Sequence, residues 1–110
     1  MTPQLGDNEV GTTGAQAWRR AIFETVDEAY FARGSMPPGV VPRMYRALDT
    51  MRADRVENEV VDRAEAIAVT LHRLLAAIQA TPRDDLAVMP IRRELRALGV
   101  DWLKAMPLFH

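Results

Sequence analysis

Residues 60–80 read VVDRAEAIAVTLHRLLAAIQA, and the fold class turns on this stretch. Val60, Ala64, Ile67, Leu71, Leu74 and Ile78 are spaced four, three, four, three and four residues apart, with Val61, Ala68 and Leu75 in a second stripe beside them. Such spacing marks one face of an α-helix in a heptad-like register. From Ala66 to Ala80 only Thr70, His72, Arg73 and Gln79 are polar. A helix apolar around most of its circumference belongs at the centre of a bundle. Few other segments can cover it, so the stripe Val60, Ala64, Ile67, Leu71, Leu74 and Ile78 is expected to form the seam of a homodimer.

Working outward, no Gly or Pro interrupts the chain between Pro42 and Pro82. A single helix from 42 to 80 would be about 58 Å long, whereas a compact chain of this length has a diameter of about 35 Å. A break near 52–55 is therefore expected, and Asp54-Arg55-Val56-Glu57 offers a capping-box-like restart. Upstream, Ser35-Met-Pro-Pro-Gly-Val-Val-Pro42 is a loop, because each proline drives the residue before it away from helical geometry. Thr13-Gly14-Ala15-Gln16 reads as a capping box opening the first helix, along which Ala15, Trp18, Ile22, Val26 and Ala29 step by three and four. Phe23, Tyr30 and Phe31 widen that stripe, so this helix should anchor the core. Residues 1–12, rich in glycine and polar side chains, read as a flexible arm.

Downstream, Thr81-Pro82-Arg83-Asp84 is a start signal, Pro90 is expected to kink or end the helix it opens, and Gly99 is placed as a C-terminal cap. Asp101 would cap a last turn. No stretch alternates with period two. The expected fold is all-α: a bundle of four to five helices at about 13–33, 42–53, 55–80, 82–98 and 101–106, in one domain over 13–110 behind the arm.

The 110 residues hold 14 Lys+Arg, 15 Asp+Glu and no cysteine. Absence of cysteine removes disulfides, thiolate metal sites and a thiol nucleophile. Formal charge is −2 over residues 1–39, zero over 40–80 and +1 over 81–110. Charge is balanced locally, so no strong field steers nucleic acid. No run of about 18 apolar residues marks a membrane span and no signal peptide opens the chain, so a cytoplasmic location is expected.

Chemistry-bearing constellations are sparse. GDNEVGTTG lacks the Gly-Lys-Ser/Thr ending of a phosphate loop. His72 has no Glu-x-x-His partner, so no metal or cofactor is expected. Ser35 is the only serine and Lys104 the only lysine, and no nucleophile assembles around either. Glu24, Asp27 and Glu28 share one side of the first helix as a contact for a basic partner, or simply as a solvated face. Arg92, Arg93 and Arg96, with Arg83, form the densest basic group and a candidate anion contact. Trp102, Leu103, Met106, Leu108 and Phe109 make the last residues unusually apolar for a terminus, so that segment must dock, either on its own bundle or on another protein. These features point to a non-enzymatic helical protein–protein interaction module, a homodimeric regulatory or accessory subunit with a further protein partner. The alternatives are a nucleic-acid-associated regulator using the arginines, and a small-ligand binder or enzyme with a pocket near Trp18, Phe23 and Tyr30.

Overall fold

A computed structural model describes residues 3–32, 35–80 and 85–105, with side chains at 17–32, 35–80 and 86–105. Within them lie four helices and no strand: α1 Pro3–Phe31, α2 Val40–Ala53, α3 Asn58–Ala80 and α4 Asp85–Ala105. The all-α bundle expected from the sequence is the fold. Neighbours in sequence are neighbours in space, and α1 also packs on α4, while α1 and α3 meet only across the diagonal. Contacts between helices run in opposite senses along the chain: Glu28 meets Arg43, Arg52 meets Glu65, and Arg63 and Arg73 reach Asp101 and Glu94. Each helix is therefore antiparallel to the next, as short connections require.

Four helix boundaries differ from expectation. α1 is already helical at Pro3, ten residues before Thr13, so residues 3–12 extend it backwards. α2 begins at Val40, after Gly39, whose carbonyl accepts both the amide and the side-chain Nε of Arg43. The break between α2 and α3 falls where chain length demanded it, but Asp54 closes α2 instead of opening α3. Val56 N donates to Met51 O and Arg55 N to Arg52 O, around Arg55 at φ 56°. That pair of bonds is a Schellman motif with arginine in the left-handed position usually held by glycine. Downstream, Pro90 and Gly99 both lie inside one continuous α4, so the two short helices expected there are one.

Gly99 continues the helix because it sits at a crossing. A Cβ there would lie 2.7 Å from Val26 Cγ1 on α1. Around this contact the core gathers Trp18, Ile22 and Val26 from α1, Met44, Leu48 and Met51 from α2, and Leu95 and Trp102 from α4. Trp102 is fully buried, packs edge-on against Trp18 with centroids 6.0 Å apart, and donates from Nε1 to Arg19 O at 3.0 Å.

α3 supplies Ala64, Ile67, Ala68, Leu71, Leu74 and Ile78 to the same core. This corrects the homodimer seam: of its six residues, five are at most 7% exposed within the single chain and Val60 is partly buried. A heptad stripe is satisfied equally well by helices of the same chain.

Candidate functional site

The arginine group splits in two. Arg92 Nη1 donates to the carbonyls of Ala29, Tyr30 and Ala32 at 3.0, 3.0 and 2.6 Å. These carbonyls have no partner inside α1 because the helix stops at Phe31, and a cation there also meets the negative end of the helix dipole. Arg92 is thus the C-terminal cap of α1 and not a free anion contact. Arg96 lies over the Tyr30 ring, 4.8 Å from its centroid, and Arg93 is exposed. Arg83 lies outside the described residues.

The acidic group divides as well. Glu28 accepts a 2.6 Å hydrogen bond from Arg43 Nη2, tying α1 to α2. That bond, aided by the guanidinium charge and opposed by partial desolvation, holds the Glu28 carboxyl below its ordinary range. Glu24 and Asp27 are exposed. Of the C-terminal apolar segment, Trp102 belongs to the core and Leu103 is partly buried, while Met106, Leu108 and Phe109 lie outside the described residues.

His72 is exposed and shares a short hydrogen bond with the Tyr45 hydroxyl, linking α3 to α2. Among the described residues no three His, Cys, Asp or Glu converge as a metal would require. The pocket imagined near Trp18, Phe23 and Tyr30 is divided: Trp18 lines a groove of about 230 Å³ against α2, whereas Tyr30 faces α4. A larger open cleft of about 520 Å³ between α3 and α4 is lined by Glu59, Asp62, Arg63, Ala66, Leu98 and Asp101. Arg63 bridges that cleft to Asp101 at 2.7 Å, consuming its cation in the scaffold.

What the scaffold leaves unused is apolar. Six large hydrophobic side chains are exposed among the described residues, and three of them, Leu86 (80%), Met89 (40%) and Val100 (44%), lie along α4, with Phe31 (64%) at the end of α1. Leu86, Met89, Arg93, Arg96 and Val100 step three, four, three and four along the solvent side of α4. The cap on Ala32 and the Arg96–Tyr30 stack hold the end of α1 against this row, and Phe31 packs edge-on to Tyr30 with centroids 5.0 Å apart. On α1, Arg20, Glu24, Asp27 and Phe31 are exposed at spacings of four, three and four. Scattered exposed hydrophobics are ordinary, but a row of them rimmed by charge is the usual mark of a contact surface.

This face is absent from the sequence-level expectations. Its signal was nonetheless present: the 86, 89, 93, 96, 100 spacing is a second heptad-like row in α4, masked by the assumption that α4 ends at Gly99 and by the arginines within it. No helix among the described residues is long and apolar enough to cross a membrane. No protein family, curated protein or solved structure matches the chain.

Proposed function

We propose that this chain is a helical protein–protein interaction module, acting in the cytoplasm as a regulatory or accessory subunit without catalysis of its own. The observation that carries this reading is the exposed row of α4, where Leu86, Met89 and Val100 stay in water, with Phe31 exposed at the end of α1. Burying a side chain of this size stabilises by about 1.5–3 kcal/mol, so leaving such a row in water favours a partner. Supporting it, many of the charged groups suited to recognition or chemistry are already engaged in the fold: Arg92 on α1, Arg63 and Arg73 on α4, Arg52 on α3 and Arg43 on Glu28.

Site-specific photocrosslinking in producing cells tests the reading. A photoreactive residue at Leu86 should yield discrete protein adducts, while the same residue at Val69, also exposed but on α3, should yield few. Equal labelling at both positions, or no protein adduct at either, contradicts it.

A further inference from the structure

We infer that the groove between α1 and α2 binds a small organic acid, one with a compact apolar body and a single carboxylate. This goes beyond the interaction-module reading and does not depend on it. Ala17 and Ala21 on α1 and Ala47 on α2 line a groove of about 230 Å³, which larger side chains at these positions would fill. That is room for about eight water molecules, and so for a ligand of about ten non-hydrogen atoms. It falls below the roughly 300 Å³ at which sites for drug-sized ligands begin. The ligand must be small.

Trp18 lines the same groove and supplies the observation that points to a ligand. It is 5% exposed, and its Nε1 is buried without an acceptor among the described residues. The other tryptophan shows what a buried indole in this fold ordinarily does, since Trp102 Nε1 donates to Arg19 O at 3.0 Å. A buried donor left unpaired is costly, and an acceptor atom seated in the groove beside Trp18 removes that cost. The polar lining says which acceptor. It consists of Arg43, Arg46 and Thr50, with no carboxylate among the described residues. Arg43 is held by Glu28 and by the Gly39 carbonyl, and Glu24 also acts on its charge. Thr50 donates its hydroxyl proton to Arg46 O. Arg46 itself is exposed, and no ion pair among the described residues uses its guanidinium. One orphaned N–H and one open cation match a carboxylate, whose two oxygens can accept from both. A phosphate ester, carrying about two charges, would leave one of them unmatched, and the three alanine methyls suit an apolar body.

Nuclear magnetic resonance of the full chain tests this, because its two tryptophans give only two indole N–H signals. Benzoate is the probe, and benzamide is the same ring with an acceptor but no charge. On titration with benzoate the Trp18 indole proton should move downfield and saturate, with a dissociation constant of about 1 mM for so small a ligand. The Trp102 signal, already hydrogen-bonded, should move far less. Benzamide should bind about tenfold more weakly. Arg46→Gln should weaken benzoate about tenfold and leave benzamide unchanged, a split that mere loosening of the fold does not produce. Ala17→Leu, at an exposed helical position, should fill the groove and abolish saturation while circular dichroism shows helicity intact. No saturable movement of the Trp18 signal up to about 20 mM benzoate, equal affinity for benzamide, or benzoate binding unchanged by either substitution overturns the inference.

Discussion

Gly99 looks like a helix stop, yet it is where two helices touch. With Val26 Cγ1 2.7 Å from the position of a new Cβ, and with valine stiff at χ1, Gly99→Ala forces α1 and α4 apart. The gain in helix propensity, about 1 kcal/mol, opposes an overpacking cost of about 1–3 kcal/mol, and at a contact this close the overlap wins. Denaturant unfolding should show Gly99→Ala less stable by about 1–2 kcal/mol, and adding Val26→Ala should cost less than the two substitutions summed, since Val26→Ala vacates the space the new methyl needs. At Glu28 the carboxyl is held below its ordinary value when folded, so its contribution is complete above about pH 4.3 and fades as pH falls through the lower folded-state value. Because both partners are more than a third exposed, Glu28→Gln should cost less than about 1 kcal/mol at neutral pH. The gap between the two proteins should close on acidification, as followed by thermal unfolding from pH 7 to pH 3.

At the scale of helices, the ends carry the specificity. The described end of α1 borrows Arg92 from α4, two N–H groups of one nitrogen serving three carbonyls. Arg92→Ala should destabilise by about 1–3 kcal/mol, and hydrogen exchange should quicken first in the last turn of α1. The end of α2 holds the opposite opportunity: Arg55 occupies a left-handed conformation at φ 56° that glycine adopts freely. Arg55→Gly should raise stability by about 0.5–1 kcal/mol, the relief of side-chain strain exceeding the added entropy of the unfolded chain. Much of this architecture is legible in residues: the 4-3-4-3-4 stripe of α3, the proline loop before α2 and the length limit between Pro42 and Ala80 each predict what is found. The boundaries that differ do so for different reasons: the contact with Val26 keeps Gly99 inside α4, whereas at Asp54 the local bonds of Arg55 and Val56 close α2. Arg92 marks the limit of local signals, since a guanidinium that caps another helix looks, in sequence, like one waiting for an anion.

For the molecule as a whole, the four-helix arrangement explains why the over-apolar α3 needs no second chain. Principal extents of 53 × 29 × 24 Å describe an elongated bundle in which α3 is covered by α2 and α4. The exposed apolar surface lies along α4 at Leu86, Met89 and Val100, and at Phe31 at the end of α1. The stripe from Val60 to Ile78, expected as a homodimer seam, packs within the single chain, with Val60 partly buried. The photocrosslink at Leu86 tests the central claim most directly. The account predicts discrete protein adducts from Leu86 and few from Val69, whereas equal labelling at both positions, or no protein adduct at either, would contradict it.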